Sequence, residues 1–157
     1  MKPIRLGMVG GGAGAFIGGV HRIAARMDGQ FQLVAGALSS NPETARTSAE
    51  SLGIRGYDSF AAMAKAEARK KDGIEAVAIV TPNHMHVAPA REFLKRGIHV
   101  ICDKPLAATQ AEAKALAKTA ASSDALFILT HNYTGYPMVR QARAMVAAGD
   151  LGKVRLV

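Results

Sequence analysis

Ile4-Arg5-Leu6-Gly7-Met8-Val9-Gly10-Gly11-Gly12-Ala13-Gly14-Ala15-Phe16-Ile17-Gly18-Gly19 is the stretch that decides the fold. An apolar run, Ile4–Val9, enters a glycine-dense loop, and a helical pattern over Gly19–Arg26 leaves it. Glycines at such a junction let the backbone turn sharply and approach an anion, while N–H groups at the helix start remain free to meet phosphates. Two registers fit. Gly10-x-Gly12-x-x-Ala15 satisfies the G-x-G-x-x-G/A spacing, whereas Gly10-x-Gly12 with Gly18 implies a longer loop. The second is preferred because Gly18 stands nearer the helix. Gly10, Gly12, Ala15, Phe16, Ile17 and Gly18 are then the candidate contacts. A flexible glycine linker would not be flanked tightly by apolar structure on both sides. The strand–loop–helix context predicts binding of a dinucleotide through its pyrophosphate.

Further apolar runs at Phe31–Leu38, Ile74–Val80, His99–Cys102 and Leu126–Thr130 alternate with helical patterns. The runs show little polar alternation, as expected of parallel strands covered on both faces. Asn41-Pro42 reads as an N-cap with proline at the first helical position, opening a helix that ends near Gly53. Thr109-Gln110-Ala111-Glu112 has capping-box spacing, with Ala113, Leu116, Ala117 and Ala120 forming the apolar face behind it. Gly97 and Gly149 stand where glycines end helices. This order predicts an α/β fold built on a doubly wound parallel sheet with right-handed crossovers. Residues 1–150 are read as the dinucleotide-binding domain. Asp150–Lys153 reads as a turn, and Val154–Val157 as the first strand of a substrate domain that is cut short.

The chain has 157 residues, 49% of them hydrophobic, which is enough for a domain with its own core. No apolar run approaches the roughly 20 residues of a membrane span, and no signal region follows the N-terminal charges, so a cytoplasmic protein is expected. The formal charge is +8, but its basic residues are scattered. The densest group, Arg69-Lys70-Lys71, reads as a helix end, where cations suit the dipole, and no aromatics interleave with it. A nucleic-acid partner is therefore not expected. Cys102 is the one cysteine and reads as a small buried hydrophobe. His84, His86, His99 and His131 lack helical metal-ligand spacing, so no metal site is expected.

The chemistry gathers at strand ends. The second run ends in Leu38-Ser39-Ser40-Asn41 with no acid to repel a ribose 2′-phosphate, a composition that leans toward NADP while tolerating NAD. The third ends in Thr81-Pro82-Asn83-His84-Met85-His86 and the fourth in Asp103-Lys104-Pro105-Leu106. With Gly97-Ile98-His99-Val100 and Asn132-Tyr133…Pro137…Gly149-Asp150-Leu151-Gly152, these motifs follow the order of one family over essentially the whole chain. The sequence resembles the N-terminal, Rossmann-type half of the glucose–fructose oxidoreductase/inositol dehydrogenase family.

The resemblance implies an NAD(P)-dependent dehydrogenase acting on a sugar or polyol, assembled as a homo-oligomer in its complete form. Lys104 would be the catalytic lysine beside the nicotinamide, its charge about 3 Å from the reacting oxygen. Thr81, Pro82, Asn83, His86 and Asp103 would line the cofactor groove with Ser39 and Ser40, and the bond before Pro105 is one where a cis peptide would aim the lysine. His86 also admits a purely capping or packing role, and Tyr133 and Tyr136 either border the substrate or cover the sheet edge. Asp103 replaces the family's usual Glu. The family's relay Asp and His lie in the following domain, so the chain alone is expected to bind cofactor without turnover. The competing reading is a cofactor-binding sensor without catalysis, which would have no need of Lys104.

Overall fold

All five apolar runs become strands in the computed structural model, which describes residues 2–156. β1 (Ile4–Val9), β2 (Phe31–Ala37), β3 (Arg55–Gly56), β4 (Ala76–Ile79), β5 (His99–Cys102) and β6 (Phe127–Leu129) pair in parallel in the order β3-β2-β1-β4-β5-β6. The winding direction reverses between β1 and β4. A crevice opens there at the carboxyl ends of the strands, where ligands gather in sheets of this kind. This is the expected Rossmann-type, doubly wound fold.

Two cores explain why the strands are apolar throughout. On β4, Ala76 and Ala78 join Leu6, Met8 and Ala49, with Ile17 and Ala25 packed against them. Leu6 and Met8 come from β1, Ile17 and Ala25 from α1 (Phe16–Arg26), and Ala49 from α2 (Pro42–Ser51). Val77 and Ile79 point the other way, to Met63, Phe93 and Leu116. These belong to α3 (Phe60–Glu67), α4 (Val87–Leu94) and α5 (Gln110–Ala121). A strand buried on both faces has no position for a polar side chain. The last helix, α6 (Pro137–Ala148), buries none of its residues.

The local signals act as expected. Asn41 accepts a hydrogen bond from Thr44 N at 2.9 Å, and Thr109 and Glu112 close a reciprocal capping box. Gly149 ends α6 in the left-handed region at φ 83°, and Lys104–Pro105 is cis.

Several boundaries differ. α1 starts at Phe16 rather than Gly19, because Ala15 already takes the extended conformation of an N-cap. β2 stops at Ala37, since the Leu38 carbonyl turns to accept from Gly12 N. β4 loses Ile74, whose N–H is turned to Glu67. Arg69–Lys71 lie beyond the end of α3, and the two-residue β3 was not anticipated. Val154–Leu156 form no strand pairing among the described residues, and Val157 lies outside them. No described helix is long and apolar enough to cross a membrane.

The short β3 is fixed by a buried carboxylate. Glu67 receives Arg55 Nε at 2.8 Å and Nη2 at 2.7 Å, the Tyr57 hydroxyl, and Ile74 N at 3.1 Å. Burial alone would raise this carboxyl. The hydrogen bonds from Arg55 and Tyr57, the guanidinium charge and the Ile74 N–H outweigh it and hold Glu67 below its ordinary range. Burial and the Glu67 bond push the Tyr57 hydroxyl up to about 12.

A depressed folded-state acid contributes stability that is complete above the unfolded carboxyl pKa of about 4.3 and disappears as pH falls through the folded value. Glu67→Gln leaves Arg55 without its buried counter-charge. It is expected to cost about 3 kcal/mol in urea unfolding at neutral pH, since the guanidinium stays partly solvated, and the deficit shrinks toward acid. Equal stabilities at neutral pH would contradict this assignment.

Candidate functional site

At the crevice, β1 delivers the glycine loop against the end of β2. Gly10 N donates to Ala37 O at 2.9 Å and Gly12 N to Leu38 O at 3.0 Å. Ser48, buried in α2, accepts from Ala13 N at 3.0 Å. From α1, Arg22 donates to Gly11 O at 2.6 Å, turning that carbonyl into the protein. Gly10 and Gly11 hold φ of 78° and 74°, a region only glycine enters without strain.

The longer register is the one that builds the loop. Gly18 lies in the first turn of α1 with its Cα face against Gly11, so close that an added Cβ would stand 2.4 Å from Gly11 Cα. Ala15 caps α1 with no side-chain hydrogen bond. The N–H groups of Phe16, Ile17 and Gly18 have no intrahelical acceptor, and this uncapped end suits an anion. The donor set fits a pyrophosphate.

Two grooves run from this helix start. One, of about 530 Å³, is lined by Gly10, Gly12, Ala15, Ser39, Ser40, Thr81 and Pro82. The other, of about 580 Å³, is lined by Phe16, Ile17, Asp103, Lys104, Asn132 and Tyr133. The expected site residues thus divide between two grooves that meet α1 at its start, with Lys104 exposed in the second. Gly18 lies beneath the loop. Asn83 is exposed at the start of a short helical turn and lines neither groove. Tyr133 borders the second groove, and Tyr136 packs edge-on against its ring at 5.5 Å.

His86, expected on the cofactor groove, is instead 1% exposed and lines neither groove. Its Nδ1 is 2.7 Å from Pro105 O and its Nε2 2.9 Å from Thr81 O, so its polar atoms are taken up by the backbone. Cys102 is fully buried, and burial pushes its thiol up to about 12, as befits a core residue rather than a nucleophile.

Beside Lys104, Asp103 accepts from Thr130 Oγ1 at 2.8 Å and lies 4.0 Å from His21 Nε2. Burial pulls the His21 ring below its ordinary value despite the opposing pull of Asp103, favouring the neutral imidazole. His21 and Arg22 escaped the sequence reading. Their signal is helical: they follow Gly18 by three and four residues and share its face. Ser48 had none, as its partner is 35 residues away. Asp58, beyond β3, also lines the first groove and had no local mark.

The family model described as the oxidoreductase family with an NAD-binding Rossmann fold matches residues 4–131. The chain belongs to this glucose–fructose oxidoreductase/inositol dehydrogenase family. It is 39% identical to the YfiI oxidoreductase of Bacillus subtilis, across 99% of this chain and 41% of that protein. It superposes on an oxidoreductase from Sinorhizobium meliloti with a TM-score of 0.94 at 67% identity, covering 99% of this chain and 44% of that one. An inositol dehydrogenase homologue from Azotobacter vinelandii, solved with NAD⁺, gives 0.94 at 43% identity, covering 98% and 40%. The chain therefore spans about two-fifths of the length of these relatives.

Proposed function

We propose that this chain is the cofactor-binding half of a dehydrogenase that moves hydride between a nicotinamide and a hydroxyl-bearing carbon of a sugar or polyol. The observation that carries this reading is the uncapped start of α1, which lies between a hydroxyl-lined groove and the cleft holding Lys104. The adenosine half of the cofactor would lie along Ser39, Ser40 and Thr81. Its pyrophosphate would meet the N–H groups of Phe16 and Ile17, and the nicotinamide would enter the second groove.

When bound, the cofactor supplies the hydride acceptor. Lys104 Nζ would hold the substrate oxygen, its charge favouring negative charge developing there. Asp103, which accepts from Thr130, holds the end of the strand just before the Lys104 loop. The Azotobacter vinelandii homologue was also solved with NADH and myo-inositol, which supports a polyol substrate. An exposed lysine in the cleft favours catalysis over a sensor, which needs no such group. The test is turnover of polyols and sugars by the complete protein, followed by absorbance of the reduced nicotinamide. Cofactor binding without oxidation of any of them would defeat the catalytic reading.

For the cofactor, the groove favours NAD, against the lean toward NADP drawn from the strand end. Asp58 places a carboxylate in the groove wall, and among the described residues no Lys or Arg lines it. Arg46, the nearest basic residue in the sequence, is paired with Glu50 at 2.9 Å. A 2′-phosphate would meet hydroxyls but no free cation. NAD is expected to bind about tenfold more tightly than NADP by calorimetry, about 1.4 kcal/mol, with Asp58→Asn narrowing the gap. NADP binding as well as NAD in the wild-type chain would reverse the assignment.

A further inference from the structure

The loop that presents Lys104 is almost untethered. Among the described residues, one hydrogen bond reaches the segment from Lys104 to Ala108, and it is the contact of His86 Nδ1 with Pro105 O at 2.7 Å. Leu106 packs against the core, which limits the loop's depth but not its rotation. The other face of the same ring lies 2.9 Å from Thr81 O, at the carboxyl end of β4. Thr81 is itself held, its Oγ1 donating to Met85 O at 3.2 Å, and His86 N donates to Asn83 O at 3.2 Å. One imidazole therefore bridges two adjacent strand ends, a well-tethered turn on the cofactor groove and a loosely tethered one bearing the lysine.

We propose that His86 is a positioning residue for Lys104. Its Nδ1–H donates to the Pro105 carbonyl and sets the height and direction of the lysine above the nicotinamide groove. Both carbonyls can only accept, and a neutral imidazole carries one proton; the shorter contact, 2.7 Å against 2.9 Å, places it on Nδ1. His86 is 1% exposed and lines neither groove. Its effect passes entirely through the backbone at Pro105. Displacing a catalytic group by about 1 Å can cost about a hundredfold in rate, so a single tether of this kind matters more to turnover than to binding. The catalytic consequence rests on the dehydrogenase reading, whereas the Nδ1 proton does not.

The test has two arms. In the wild-type chain, nitrogen NMR of the histidine rings should show a proton on His86 Nδ1 at neutral pH. An unprotonated Nδ1 overturns the proposal whether or not the protein is a dehydrogenase. In the complete protein, His86→Gln retains an amide donor and His86→Phe keeps the volume without one. For the Phe variant, kcat is expected to fall roughly ten- to a hundredfold, with the KM for cofactor within about twofold of wild type. The Gln variant should recover most of that loss. A Phe variant that folds and keeps its kcat, or a Gln variant no better than Phe, removes His86 from this role. If the Phe variant does not fold, the NMR result and the Gln variant still decide. A wild-type chain that fails to bind NAD or NADP would instead count against the functional reading and leave the Nδ1 measurement standing.

Discussion

Replacing Gly18 with alanine is expected to abolish dinucleotide binding, weakening it by at least about a hundredfold, or roughly 3 kcal/mol. The added Cβ would meet Gly11 Cα at 2.4 Å and Gly11 O at 2.5 Å. Both are backbone atoms that no rotamer change can move aside. The loop and α1 must separate, and the N–H groups of Phe16 and Ile17 no longer converge on one phosphate. Losing two charge-assisted hydrogen bonds at about 1.5–3 kcal/mol each accounts for the effect.

The neighbouring glycine is the control. An added Cβ at Gly19 would meet Arg22 Nη2 at 3.9 Å, an ordinary contact with a flexible side chain. Gly19→Ala is expected to leave binding intact and to stabilise α1 by about 0.5–1 kcal/mol, through the lost backbone freedom of glycine. Calorimetric titration of both variants, with thermal unfolding alongside, checks the contrast. Wild-type affinity in Gly18→Ala would show that loop and helix need not touch.

Those two glycines, adjacent in sequence and opposite in expected effect, mark where sequence reading succeeds and stops. The fold was legible because its determinants are local. An apolar run meeting glycines, Asn41 before Pro42 and Thr109 three residues before Glu112 each act within a few positions. The start of α1 was misplaced because Ala15 caps it without a side-chain signal. β3 was missed because two residues carry no periodicity, and its anchor, Glu67, lies 12 residues beyond Arg55.

The site followed the same rule. Motif positions such as Gly10, Thr81 and Lys104 fell on the crevice because strand ends are fixed by the strands themselves. The supports did not declare themselves. Ser48 grips Ala13 across 35 residues and His86 grips Pro105 across 19, and only the folded chain brings such partners together. His86 shows the consequence: its place in a motif identified it as important, while its burial assigned it to the backbone rather than to the cofactor.

Lys104→Ala in the complete protein is expected to lower kcat roughly a hundred- to a thousandfold while leaving cofactor affinity within about twofold. The division follows from the layout of the crevice. The donors suited to the pyrophosphate come from the glycine loop and α1, and the hydroxyls suited to the ribose come from the end of β2. Lys104 projects from the loop after β5 and lines the second groove. Its removal leaves the first two sets untouched and deletes the positive charge that, on the proposed reading, would stand beside the oxygen on which negative charge develops. Lys104→Arg is the sharper comparison. It keeps the charge but replaces a compact ammonium with a planar fork, whose donors diverge from a single oxygen. It should recover only part of the rate. Stopped-flow measurement of the hydride step, with cofactor affinity titrated separately, distinguishes loss of chemistry from loss of binding. A Lys104→Ala enzyme with wild-type turnover would remove the lysine from the reaction, and a parallel collapse of cofactor affinity would make it a binding group instead.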